Sequence, residues 1–459
     1  MTSSPEGTGQ AFVGTFLHAP TPDALVVLED ALVEIDATGT ITNVSTPPVP
    51  GHAEAMAAAR SRRDTVSADG AGFFLPGLVD LHVHAPQWPQ LGRALHLPLE
   101  DWLQEATFPL ESRYADIDFA RPVYDSLVRT LLAGGTTTAV YFATLHDAAT
   151  RLLADTCIAL GQRALVGRVA MDHPEQCPAY YRDASAAVAL EGSEALIDYL
   201  RGASSNAGRR VLPAITPRFV PSCTDTLLDG LGTLAERHDC HVQTHCSESD
   251  WEHDFVRARL GRSDTEALRD FGLLRRGSVL AHCNRVGDGD LALIRERGAG
   301  VAHCALSNAY FAGSVFPLRK ALAHGVRVGL GTDISGGPSA SMFDVAAQTV
   351  TASRLLESGV DPGVAAAKRG VPGARVDYVT AFHLATAGGG DVLGLPIGRF
   401  EPGYRFDAVM IDTGSGTGGV VRFEGIDTPA DLLQKTLYGA TRADIGGVWV
   451  DGRSVAGSP

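Results

Sequence analysis

Eight short apolar runs, each followed by a longer stretch, constrain this chain more than any other feature. They are Leu78–His84, Thr137–Ala143, Ala164–Met171, Val211–Phe219, His241–Cys246, Ser278–Cys283, Gly300–Cys304 and Val326–Asp333. Segments of helical length, such as Phe119–Ala133 and Asp288–Arg297, lie between them. Strand-like runs alternating with helical segments are the signature of repeated βα units. Eight such units fit a closed parallel (β/α)8 barrel. An open doubly wound sheet shares the alternation, but no nucleotide-binding glycine fingerprint follows an early strand.

The two ends of the chain have a different texture. Ala11–Ala19, Ala24–Asp36 and Thr40–Val44 read as short strands, followed by an Ala-rich helical stretch at Glu54–Arg63. At the far end, Phe406–Asp412 and Val448–Val455 have the same β character, the latter bent at Asp451-Gly452. The Gly-rich tract Gly414–Gly419 reads as a surface loop. The expected architecture is α/β: a TIM-like barrel over 73–394 and a small β-sandwich assembled from both ends, 1–72 and 395–459.

Barrel enzymes place their chemistry at the C-terminal ends of the strands. Four runs end in a residue able to bind a metal: His82-Val83-His84, His245, His282 and Asp333. In an extended strand residues i and i+2 point the same way, so His82 and His84 can both face the axis and chelate one ion. His245 and Asp333 would supply further ligands. A lone histidine is more often a hydrogen-bonded structural residue, but four at strand ends together with Asp333 suit a metal site. Imidazole and carboxylate accept zinc, iron or manganese alike. Such a site lowers the pKa of bound water toward neutrality, and hydrolysis then needs a proton carrier. Glu248, three residues beyond His245, stands where it could serve. Cys246, Cys283 and Cys304 each follow a histidine, and strand alternation would turn all three toward the helices as packing residues.

Composition narrows the partners. A net charge of −15 without a basic cluster speaks against nucleic acid or an anionic membrane, and favours a small neutral substrate. Met1–Gln10 lacks the layout of a signal peptide, and no apolar stretch is long enough to span a bilayer. Seven cysteines without a C-x-x-C pair suit a reducing cytoplasm and no cysteine metal cage.

These residues resemble the amidohydrolase superfamily, and within it the guanine deaminase branch. Pro76-Gly77-Leu78-Val79-Asp80 before His82-Val83-His84 is similar to the superfamily's first strand. His84-Ala85-Pro86-Gln87, Leu97–Leu103, Thr107–Glu111, Gly134–Thr138, Thr216–Phe219, His245–Glu248 and Gly331–Gly337 resemble the branch in particular. The resemblance implies one zinc ion per subunit on His82, His84, His245 and Asp333, with His282 orienting the attacking water. It implies that Asp333 takes a proton from that water while Glu248 protonates the purine ring nitrogen. Gln87, Arg218 and Phe219, with His245 and Glu248, would bind the substrate, a small purine. It further implies a homodimer. One departure stands out: the run His303-Cys304-Ala305-Leu306-Ser307-Asn308 has Ala305 where the family usually has proline. That leaves other aminated heterocycles open as substrates, such as 8-oxoguanine, a pterin or an aminotriazine. A catalytically silent barrel would be expected to have lost ligands that this chain keeps.

Overall fold

The computed structural model describes residues 9–68, 70 and 72–457. The first eight residues of the polar N-terminal stretch lie outside that range. Both chain ends contribute to one mixed sheet: β1 (Ala11–Thr21), β2 (Ala24–Ile35), β3 (Ile41–Ser45), β4 (Val66–Ser67) and β5 (Gly72–Pro76) from the first, with three strands from the second. The barrel strands follow: β6 (Leu78–His84), β7 (Thr136–Phe142), β8 (Arg163–Gly167), β9 (Val169–Ala170), β10 (Val211–Pro217), β11 (His241–Cys246), β12 (Ser278–His282), β13 (Gly300–His303) and β14 (Arg327–Leu330). The chain then returns to the first sheet through β15 (Ala408–Asp412), β16 (Ile445–Val450) and β17 (Arg453–Gly457).

The third expected run is split into β8 and β9. The break falls at Arg168, whose guanidinium is drawn into ion pairs with Asp147 (2.6 Å) and Asp183 (2.7 Å). The barrel sheet runs β6-β7-β8-β10-β11-β12-β13-β14, and all its pairings are parallel. Its last and first strands meet where Asp333 N–H donates to the His82 carbonyl (2.8 Å) and His84 N–H to the Ile334 carbonyl (3.0 Å). Below the site, Val79, Leu81, Val140, Leu165, Ala214, Val279 and Ala302 form one buried cluster with Val392 and Leu393. Side chains from six strands can share a cluster only inside the barrel, so the interior is a packed floor rather than a channel.

That cluster corrects one expectation. Cys246 and Cys283 do pack outward, among Val256, Leu268 and Leu291. Cys304 instead lies in the interior cluster, and it is His303 that turns outward against Phe316 (ring centroids 5.4 Å). Alternation itself holds, with Ala302 and Cys304 both facing in; it is His303 that, unlike His245 and His282, does not face the axis, so its neighbour does.

The end sheet has the order β17-β16-β15-β5-β1-β2-β3, with β4 beside β1. It folds back on itself. The turn between β2 and β3 hydrogen-bonds to the segment leading into β15, through Ile41 N–H to the Tyr404 carbonyl and Phe406 N–H to the Gly39 carbonyl (both 2.8 Å). Aromatic rings fill the space enclosed: Phe12 stacks on Phe406, Phe16 on Phe74, and Trp449 meets Phe74 edge-on. Each such ring contributes about 1.5–3 kcal/mol by leaving water. Strand β5 straddles the join expected at residue 73 and pairs along its whole length with β15. β16 and β17 form the expected hairpin around Asp451-Gly452, where Asp451 adopts φ 51° and Gly452 φ 72°.

Candidate active site

At the C-terminal end of the barrel, β6 delivers His82 and His84, β11 His245, β12 His282 and the loop after β14 Asp333. Their ring nitrogens and carboxylate oxygens converge. His82 Nε2 lies 3.2 Å and His84 Nε2 3.4 Å from Asp333 Oδ1, and the Nε2 atoms of His84 and His245 are 3.1 Å apart. His282 Nε2 stands slightly farther out, 3.9 Å from Asp333 Oδ2 and 3.7 Å from Glu248 Oε2. Two of these residues, His282 (φ 71°) and Asp333 (φ 50°), hold the left-handed backbone that non-glycine residues avoid. Such strain gathers where the surrounding structure must aim a side chain.

Hydrogen bonds elsewhere on the rings decide what the Nε2 atoms offer. His245 Nδ1 donates to the Arg218 carbonyl at 2.6 Å, and a carbonyl can only accept, so in the neutral ring the lone pair is on Nε2. His282 Nδ1 donates to Asn308 Oδ1 at 2.9 Å, which selects the same tautomer. Nε2 of His82 and of His282 are buried without any hydrogen-bond partner. Burial also holds the pKa of His82, and more strongly those of His84 and His245, below the ordinary imidazole value. Burial alone would raise Asp333, yet the neighbouring imidazoles, His82 foremost, keep its carboxyl well below the usual range. Neutral imidazoles and an ionised carboxylate are the protonation states metal ligation requires. Donors held about 2.0–2.2 Å from a tetrahedral ion lie about 3.3 Å from one another. The observed spacings match, so the residues fit a divalent metal.

Next to this cluster is a small pocket whose walls include His84, Gln87, Trp102, Arg218, Phe219, His245, Glu248, Phe311 and Asp333. Glu248 is buried, and burial raises its carboxyl pKa, with His282 opposing. A carboxyl raised toward neutrality is suited to giving and taking a proton. Its loop is held by its own N–H donating to Glu252 Oε2 (2.7 Å) and its carbonyl accepting from Asn284 Nδ2 (2.9 Å). Phe219 lies edge-on to His245 at 6.3 Å and forms part of the wall. Single π-helical turns at Leu103–Thr107 and Asn308–Ala312 border the mouth, where Trp102 and Phe311 meet (4.9 Å). A wider groove at the opposite end of the barrel, beside Arg275, Arg276 and Leu393, has no metal-competent cluster among the described residues.

The candidate ligands His82, His84, His245 and Asp333 thus meet His282, Glu248, Gln87, Arg218 and Phe219 at one place. Others there carried no separate signal. Asp80 Oδ1 accepts from the backbone N–H groups of His82 (3.2 Å) and Thr332 (3.0 Å), and Oδ2 from the Thr332 hydroxyl (2.6 Å). It ties the first strand to the last, and burial pushes its pKa up to about 7 against those bonds. Asn308 orients His282, and Glu111 binds both Gln87 and Arg218. Each of these lies inside or beside a motif of the sequence, yet only the folded chain reveals its partner.

The amidohydrolase family model matches residues 73–455. The chain belongs to the amidohydrolase family. A probable guanine deaminase of Schizosaccharomyces pombe is 35% identical over 98% of this chain and 84% of its own length. Among solved structures, guanine deaminase from C. acetobutylicum with guanine bound in its active site superposes with a TM-score of 0.85, at 30% identity, covering 97% of this chain and all of the other. An adenosine deaminase from Xanthomonas campestris with bound zinc gives a TM-score of 0.80 at 25% identity, over 98% of this chain and 93% of that one.

Proposed function

We propose that this amidohydrolase deaminates guanine to xanthine and ammonia, using one zinc ion per subunit held by His82, His84, His245 and Asp333. The observation that carries the reading is the convergence of His82, His84, His245 and Asp333 beside a pocket that Glu248, Arg218 and Gln87 line. The guanine-binding relative lends the substrate, and the zinc-binding one the metal. The ion, when bound, supplies Lewis acidity that makes water a nucleophile near neutral pH.

The remaining chemistry belongs to the chain. Asp333 accepts a proton from the attacking water, and His282, oriented by Asn308, holds that water toward the substrate. Glu248 gives a proton to the ring nitrogen beside the carbon under attack; the amino group then leaves as ammonia with the proton passed on from Asp333, and Glu248 regains one from the newly added hydroxyl as it becomes the oxo group. Arg218 and Gln87 hold the opposite edge of the purine, and Phe219 covers its face. Substitution of a proton carrier lowers turnover by about 10²–10⁴.

The departure at Ala305 keeps a second substrate reading in play, because Phe311 in the same loop reaches the cavity wall. Turnover on a panel of guanine, 8-oxoguanine, a pterin and an aminotriazine decides between them. Preference for any compound over guanine overturns the first reading.

We further read the chain as two units, 73–394 and the paired ends 1–72 and 395–459, acting as a homodimer in the cytoplasm. The seven cysteines are free and buried, which suits a reducing compartment, and no helix among the described residues is long and apolar enough to cross a membrane. Light scattering at micromolar concentration tests the dimer, and a monomeric mass would refute it.

A further inference from the structure

Glu111 is fully buried, and its carboxylate is spent on two residues of the cavity wall. Oε2 accepts from Arg218 Nη1 at 2.6 Å, while Oε1 accepts from Arg218 Nη2 at 3.2 Å and from Gln87 Nε2 at 2.9 Å. The two-pronged pairing fixes the plane of the guanidinium, which also lies over the Phe108 ring at 5.0 Å. Gln87 is fixed as well. Its Oε1 accepts from Ser335 N–H at 3.1 Å, a group that can only donate, while Glu111 can only accept. The amide therefore has one orientation, with its NH₂ toward Glu111 and its oxygen toward Ser335.

Two consequences follow for whatever occupies the cavity. Glu111 neutralises the Arg218 charge, so this wall does not demand an anion. The hydrogen-bonding capacity left on Arg218 consists only of N–H groups, and Gln87 adds a further amide N–H. Such a wall complements acceptors. Arg218 joins this wall to the metal-competent cluster, because its own carbonyl receives His245 Nδ1–H.

We propose that Glu111 is the positioning residue that sets substrate selectivity, locking Arg218 and Gln87 into a neutral, donor-presenting wall that selects an oxo group over an amino group on the purine carbon it faces. This rests on the guanine reading above. Without Glu111, Arg218 would be free to swing and Gln87 free to flip, so that an amide oxygen could meet an amino group.

The test compares wild type, Glu111→Gln and Glu111→Ala on guanine and on 2,6-diaminopurine, with metal content and melting temperature measured alongside. A site built around buried hydrogen bonds rejects a mismatched analogue strongly, and loses that power when its donors are freed. Glu111→Ala is expected to raise KM for guanine about 100-fold, with a smaller fall in kcat, and to narrow the guanine preference in kcat/KM at least about tenfold. Glu111→Gln, which keeps the shape and an acceptor, is expected to fall between. If Glu111→Ala does not fold, Glu111→Gln alone decides. Unchanged KM and unchanged preference in folded, metal-bound variants overturn the proposal, as does a fall in kcat with the preference intact. Wild type silent toward guanine overturns instead the reading on which the proposal rests.

Discussion

Arg163, at the start of β8, donates to Asp407 through Nε and Nη2 (2.9 and 3.1 Å) and to Asp451 through Nη2 (2.6 Å). Arg210 and Arg405 complete the set by donating to Asp451 at 2.9 and 2.6 Å, and Asp451 N–H donates back to Asp407 at 2.8 Å. At the opposite end of the same strands, His82 and His282 bury Nε2 atoms that find no hydrogen bond. Both regions bury charge or charge-competent groups. In the first, every carboxylate oxygen is claimed by the protein, which joins the barrel to the end sheet. In the second, lone pairs converge and are left over. A buried polar group without a partner costs about 1–3 kcal/mol, so a chain that keeps several in one place leaves them for something it binds.

Breaking each region should therefore register in different quantities. Glu248→Gln should lower guanine turnover by about 10²–10⁴ while leaving metal content and melting temperature near wild type. Near-normal turnover would remove Glu248 from the reaction. Arg163→Met should do the reverse, costing about 3–5 kcal/mol of stability by stranding the Asp407 carboxylate while Asp451 keeps Arg210 and Arg405, with metal content per folded molecule unchanged. Denaturant unfolding measures it, and a loss below about 1 kcal/mol would mean that the network is not a joint.

The pH response sharpens the contrast. In metal-free protein, burial holds His82, His84 and His245 below 6.5, so the unfolded chain takes up protons that the folded one refuses. Their contribution to stability should thus be full above about pH 6.5 and be lost progressively below it. Asp451 behaves otherwise: burial would raise its carboxyl pKa, but Arg163, Arg405 and Arg210 pull it down to about 2. Its contribution is present above 3.8 and lost only as pH falls toward 2. Melting temperatures of metal-free protein that stay flat between pH 7.5 and 5 would contradict this division. The smallest effect is expected from Asn308→Ala, which frees His282 to turn and should cost about 10–100-fold in turnover with the metal retained.

Much of this was legible in the sequence. The eight runs mark the barrel because parallel strands buried on both faces must be continuously apolar, and strand ends in such a barrel are where polar residues matter. His82 and His84 announced themselves by their spacing, and Glu248 by its offset from His245. Cys304 was misplaced because His303 does not face the axis like the other histidines: alternation from the inward-facing Ala302 turns His303 out and Cys304 in. Glu111 is 107 residues from Arg218 in sequence, so its importance lies in a pairing that no local pattern encodes. The same holds for Arg163 and Asp407, 244 residues apart.

The most direct test of the account is release of ammonia and xanthine from guanine by zinc-loaded protein, with Asp333→Ala run beside it. Steady turnover by wild type and none by the variant, whose zinc content should also fall, is the expected result. Folded, zinc-bound wild type that leaves guanine untouched would contradict the central claim, and would turn attention to the loop from Ala305 to Phe311.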